Sequence, residues 1–146
     1  MNLAKKKDDK LVIYWLLAGC LLIFIMVVVG GITRLTHSGL SISNYKLISG
    51  TIPPMNEIEW EQAFDLYKQY PEYQKINTHF TIEDFKSIYF WEWLHRVIGR
   101  VIGLVFIIPF IYFLIKRKLT KSTIKKSIVL LVLGAFQGFI GCYMVK

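Results

Sequence analysis

Two stretches of this chain carry no charge, Leu11 to Ile32 and Ser127 to Val145. A third, Ser87 to Ile115, is apolar except for Glu92, His95, Arg96 and Arg100, which are grouped toward its first half. Roughly 20 apolar residues in a helix cross the hydrocarbon layer of a bilayer. The pattern therefore predicts an all-α integral membrane protein with transmembrane helices over 11–33, 87–115 and 127–145. The remaining pieces are an N-terminal segment 1–10, a long connection 34–86 and a short loop 116–126. Pro109 falls inside the second span and is expected to kink it, at a cost that neighbouring helices offset. A cleaved signal peptide would have a shorter apolar run ending in small residues such as Ala-x-Ala. Here the run is long and ends Gly30-Gly31-Ile32-Thr33-Arg34, which reads as a retained helix.

The connection 34–86 is too long for an idle link. Gly39, Gly50 and the Pro53-Pro54 pair mark turns. Asn56 with Glu59 three residues later has the form of a helix N-cap, predicting a short helix through about Tyr70, stopped by Pro71. Thr81 with Asp84 reads as a second start leading into the middle span. Apolar Ile58, Phe64, Tyr67, Ile82 and Phe85 would let these short amphipathic helices lie on the membrane surface or over the helices below. A solvated loop and a lid over a site both fit.

Composition changes the picture through charge. The chain of 146 residues carries 18 Lys+Arg against 10 Asp+Glu, a net charge of +8. With 54% apolar residues in long blocks, a soluble globular domain, a disordered tail and a basic nucleic-acid-binding domain are excluded. Lys5, Lys6, Lys7 and Lys10 precede the first span, and Lys116, Arg117, Lys118, Lys121, Lys125 and Lys126 form a short loop before the last. Between them, Lys46, Lys68, Lys75 and Lys86 are outnumbered by acidic residues. The 34–86 connection is net acidic. Short loops rich in Lys/Arg stay cytoplasmic, which puts 1–10 and 116–126 inside and 34–86 outside. A bacterial cell inner membrane fits this N-terminus better than a mitochondrial one with a transit peptide.

Charge inside a span is expensive and marks function by default. On a helix Glu92, His95, Arg96 and Gly99 lie near one face, with Arg100 one turn beyond Arg96. A neutral imidazole ligates haem iron well. Guanidinium groups a turn away suit the carboxylates of a haem, and Gly99 and Gly103 would let a flat ring approach. A carboxylate beside the ring would serve as a base or stabilise developing positive charge. The same residues also fit an ordinary ion pair between Glu92 and Arg96, an interior histidine, and Trp91 and Trp93 in an aromatic belt. Gly99-x-x-x-Gly103 and Gly134-x-x-x-Gly138 read as close-packing faces, and Gln137 as an interhelical hydrogen bond. His37 and His79 lack a second ligand at useful spacing. Arg34 suits either a lipid phosphate or a haem carboxylate. Cys20 and Cys142 read as small packing residues inside spans.

The stretch Gly30-Gly31-Ile32-Thr33-Arg34-Leu35-Thr36-His37-Ser38-Gly39-Leu40-Ser41 resembles the end of the first span in haem A synthases. Glu-x-x-His-Arg at Glu92 to Arg96, followed by Val-Ile-Gly-Arg, is similar to that family's haem-site motif. Leu133 to Gly141 and Tyr143-Met144-Val145-Lys146 resemble the third span. Ser49-Gly50-Thr51-Ile52-Pro53-Pro54, Glu59-Trp60 and Pro71-Glu72-Tyr73 are similar to its mitochondrial and alphaproteobacterial branch. The resemblance implies oxidation of the C8 methyl of haem O to the formyl group of haem A, supplying terminal oxidases. It implies His95 as an axial ligand of the substrate haem iron, and Glu92 as the catalytic carboxylate beside the reacting methyl. Arg96, Arg100 and Arg34 would contact the haem carboxylates. With no cysteine pair in the outer connection, a redox-active disulfide is not expected.

Members of that family have eight spans in two four-helix halves, each half supplying two haem-ligating histidines. By that measure this sequence is an N-terminal part. The second ligand of the substrate site is expected on a fourth span, and a haem B site in the C-terminal half. Implied partners are the haem substrate, the lipid membrane, haem O synthase and oxidase-assembly factors, with no nucleic acid. Two other readings stay open: a non-catalytic b-type haem electron-transfer protein, and a structural membrane protein of oxidase assembly.

Overall fold

A helix exposes unsatisfied N–H groups at its start and carbonyls at its end, so its boundaries are set by what caps them. In the computed structural model, which describes residues 3–42 and 52–144, five helices follow in order. They are α1 (Leu3–Leu35), α2 (Glu57–Lys68), α3 (Pro71–Lys75), α4 (Ile82–Ile115) and α5 (Lys121–Met144). No strand occurs among the described residues. The turn expected at Gly50 lies outside them. Three of the helices are long and apolar enough to cross a membrane, over Lys10–Leu35, Ile82–Ile115 and Lys121–Gly141. The chain is a multi-pass membrane protein.

The capping signals are observed. Asn56 Oδ1 accepts from Glu59 N at 2.8 Å, while the Glu59 carboxylate accepts from Met55 N. Thr81 and Asp84 form a reciprocal box, with Thr81 N donating to Asp84 Oδ2 at 2.9 Å and Asp84 N to Thr81 Oγ1 at 3.3 Å. That box starts the spanning helix itself, so α4 begins five residues before the apolar run and passes unbroken through Pro109. Pro71 does not merely stop α2, which closes at the cap Gln69; it opens α3, where its fixed φ suits the first turn. Thr120 caps α5, its Oγ1 accepting from Thr123 N at 3.2 Å.

The exits of α1 and α4 share one device. His37 N donates to Arg34 O at 3.4 Å and Ser38 N to Thr33 O at 2.9 Å. Arg117 N and Lys118 N repeat this on Leu114 O and Phe113 O at 3.1 and 3.0 Å. Both are Schellman closures, which place one residue in the left-handed region. Here that residue is His37 at φ 50° or Arg117 at φ 51°, where glycine would be the least strained choice. Gly39 lies in the turn that follows, without positive φ.

The chain forms two compact units. One comprises Met1–Ile25 and Gly99–Met144. Its core is Trp15, Phe110 and Phe113, flanked by Val12, Leu16, Phe106, Leu119, Ile124 and Leu131. Proline lacks an N–H, so Pro109 leaves the Val105 carbonyl without its helical donor. The indole Nε1 of Trp15 donates to that oxygen at 3.0 Å. Two apolar-embedded polar groups thereby satisfy each other. Trp15→Phe should destabilise the protein by roughly 1–2 kcal/mol. Pro109→Ala, whose restored N–H can reach Val105 O, should stabilise that variant more than it stabilises wild type. Thermal unfolding of the four proteins in detergent checks this; additive effects would exclude the pairing.

Several small or polar residues expected at packed faces are open. A Cβ added at Gly103, Gly134 or Gly138 would meet no atom within 4 Å, and Gln137 and Cys20 are exposed.

The second unit comprises Met26–Ile98. Residues 60, 63, 64 and 67 recur at helical spacing and give α2 one apolar face. Phe64 and Tyr67 pack with Phe85, Ile88 and Tyr89 of α4 and with Ile42. Tyr67 and Phe85 are fully buried. Burial pushes the Tyr67 phenol up from its usual range, and its oxygen accepts from Asn77 Nδ2 at 2.8 Å. Ile58 falls off this face and is exposed. Ile42 and α2 thus form a packed cap on the first turns of α4.

Candidate functional site

The polar cluster of α4 lies just beyond this cap. Glu92 is buried, at 4% exposure, within a helix long and apolar enough to cross a membrane. A buried carboxylate must find donors or lose a large hydration energy. Glu92 finds four. Arg96, one turn on, donates to Oε1 and forms the ion pair that the i,i+4 spacing allows. Oε2 accepts from Ser41 N at 2.7 Å, Ser41 Oγ at 2.6 Å and Ile42 N at 2.9 Å. The turn after α1 is therefore fastened to α4 through one carboxylate.

That turn is built to present its donors. Thr33 and Thr36 return their hydroxyls to the carbonyls of Gly30 and Ile32 at 2.8 Å each, finishing α1. Because the Thr36 hydroxyl is committed to Ile32, the fully buried Ser38 is the donor in its hydrogen bond to Thr36 Oγ1. Ser41 is also buried, at 2% exposure. Its hydroxyl has Ser38 O at 3.2 Å as well as Glu92 Oε2 at 2.6 Å, and one proton favours the shorter, charge-assisted contact.

His95 is half-buried on α4, one residue before Arg96. Gly30 of α1 lies against its ring: a Cβ there would stand 3.3 Å from Nε2 and 3.6 Å from Cδ2. Glycine at this position lets α1 pass close to the Nε2 edge without a Cβ pressing on the ring, and Nε2 is a nitrogen through which an imidazole ligates iron. The residues present thus fit a haem substrate held by His95. No group of three or more His, Cys, Asp or Glu with metal-site geometry occurs among the described residues.

The structure brings Glu92, His95 and Arg96 together, with Gly30 and the turn 38–42 against them. Arg34 is exposed in the last turn of α1, lining a shallow recess with His37, Gly39 and Glu72. Arg100 belongs to the other unit, half-buried on α4. Ser41, Ile42 and Gly30 escape the sequence reading. The available signal was that a carboxylate within a span needs donors, and serines just outside the preceding span can offer them.

A model of the COX15-CtaA family, described as a cytochrome oxidase assembly protein, matches residues 13–146. The chain belongs to this family. A relative from Flavobacterium johnsoniae, named heme A synthase, is 63% identical over 143 residues, covering 97% of this chain and 42% of the relative. Another heme A synthase, from Flavobacterium psychrophilum, is 64% identical over 142 residues, or 96% of this chain and 42% of its own length. A Schizosaccharomyces pombe protein named heme A synthase-mitochondrial ferredoxin fusion protein is 49% identical over 142 residues, 97% of this chain and 23% of that protein. The chain thus spans less than half the length of these COX15-CtaA relatives. No solved structure matches it.

Proposed function

We propose that this chain carries the substrate haem site of a haem A synthase, oxidising the C8 methyl of haem O to the formyl group of haem A for terminal oxidases. The observation that carries the reading is Glu92, buried and four-fold hydrogen-bonded, one turn before a histidine whose Nε2 edge is closely approached by Gly30. The names of the relatives support the same reaction.

In this reading His95 holds the haem iron. Arg96, tied to Glu92, is assigned with Arg100 and Arg34 by the resemblance to contact the haem carboxylates. The two oxygens of Glu92 are already engaged by donors from Ser41, Ile42 and Arg96. Held at both oxygens, the carboxylate is positioned to act as a fixed negative charge that stabilises positive charge developing at the methyl carbon. Electron transfer alone would not need such a carboxylate. A haem B site belongs to the length of the relatives beyond this chain. The ferredoxin in the fission-yeast relative's name supports an iron–sulfur protein as electron source. Haem O synthase and oxidase-assembly factors are the remaining partners. The lysine distribution supports an inner membrane with residues 1–10 and 116–126 cytoplasmic, 34–86 outside and spans over 11–33, 87–115 and 127–145.

The test is expression from the complete gene in a host that makes haem O but no haem A. Extracted haems should include haem A, identified by mass. A purified protein with no haem Soret band would overturn both this reading and simple electron transfer.

A further inference from the structure

We propose that Ser41 is a positioning residue of this site, holding the Glu92 carboxylate in the orientation that the reaction requires. The inference rests on the functional reading above. It deepens that reading by assigning a role outside the Glu-x-x-His-Arg motif, 51 residues earlier in the chain.

A glutamate side chain has three rotatable bonds, and Arg96 alone binds only one oxygen of Glu92. The other oxygen is fixed by the turn, and Ser41 supplies two of its three donors, through N at 2.7 Å and Oγ at 2.6 Å. Ile42 supplies the third and is itself pinned in the aromatic core with Phe64, Tyr67 and Phe85. The turn is anchored at its other end by the Schellman closure of α1, which also carries Gly30 against His95. Glu92 and the His95 ring therefore share one frame, formed by the end of α1, the turn and α4. Without the Ser41 hydroxyl the carboxylate keeps its ion pair but loses its strongest restraint on the turn side. A charge meant to face one carbon of a substrate then spreads over several orientations, and preorganisation is what makes such a charge effective.

The experiment uses the protein from its complete gene, as wild type, Ser41→Ala and Ser41→Thr. Three quantities are read: haem bound per protein from the Soret band, haem A formed per bound haem, and amide hydrogen exchange over 38–42 by mass spectrometry. Ser41→Ala should keep its bound haem, because His95 is untouched. It should lose about tenfold in haem A per bound haem, the effect of one hydrogen bond to a charged group, with faster exchange over 38–42. Ser41→Thr should restore both. If Ser41→Ala does not accumulate, Ser41→Cys, with similar volume and a weaker donor, is read the same way. A turnover per bound haem within twofold of wild type in Ser41→Ala overturns the proposal, as does failure of Ser41→Thr to restore turnover. If wild type binds haem but makes no haem A, the functional reading has failed. The restraint on the turn is still decided by the exchange measurement, and unchanged exchange in Ser41→Ala would sink it.

Discussion

Replacing His95 with alanine is expected to abolish haem A formation by the protein expressed from its complete gene. His95 is the histidine that the structure places beside the buried carboxylate and a glycine. The other two sit elsewhere: His37 is exposed in the left-handed position that closes α1, and His79 is exposed against the ring of Phe80. In the proposed reading, removing His95 would take away the bond that fixes the substrate, whereas loss of a mere orienting partner of a metal ligand already costs on the order of 10–100-fold. Haem A should therefore fall by at least about 100-fold. His79→Ala should leave it unchanged. Extracted haems from matched membranes decide the matter, and normal haem A from His95→Ala would remove His95 from the site.

Glu92→Gln should show a different failure, in which haem remains bound but is not oxidised. Glutamine has the shape of glutamate and one carbonyl oxygen. If that oxygen receives the donors of Ser41 and Ile42, the amide NH2 turns toward the Arg96 guanidinium, setting donor against donor. The site then keeps its form, loses its negative charge and leaves Arg96 half-buried without its partner at Glu92. Removing one preorganised electrostatic group at a reaction centre costs about 100-fold to 1,000-fold, so haem A per bound haem should fall by about that factor. Breaking a partly buried ion pair also destabilises, by a few kcal/mol, so turnover must be normalised to bound haem. Unchanged output per bound haem would count against a catalytic role for Glu92.

Much of this arrangement was legible before any coordinates. The spans follow from long apolar runs, two of them uncharged, whose meaning depends chiefly on length. The starts of α2 and α4 follow from Asn56 with Glu59 and Thr81 with Asp84, whose partners are three residues apart. The Glu92–Arg96 pair follows from one helical turn. Where local reading fell short, a second local solution was available. Pro71 equally suits the end of one helix or the first turn of the next.

Other features depended on contacts that no local pattern encodes. Trp15 caps the carbonyl freed by Pro109 across 90 residues, and Ser41 and Ile42 reach Glu92 across 51 and 50. Gly30 stands against His95 through the meeting of two helices. The sequence alone determined that the chain crosses a membrane, where its long helices lie and which span carries the costly charges. Hydrophobic length, capping and helical periodicity act within a few residues, so they can be read along the chain. Which donors satisfy a buried carboxylate, and which glycine lies against a histidine, was decided only by tertiary structure. A buried polar group demands a partner wherever packing can bring one, and the distance along the chain does not say where.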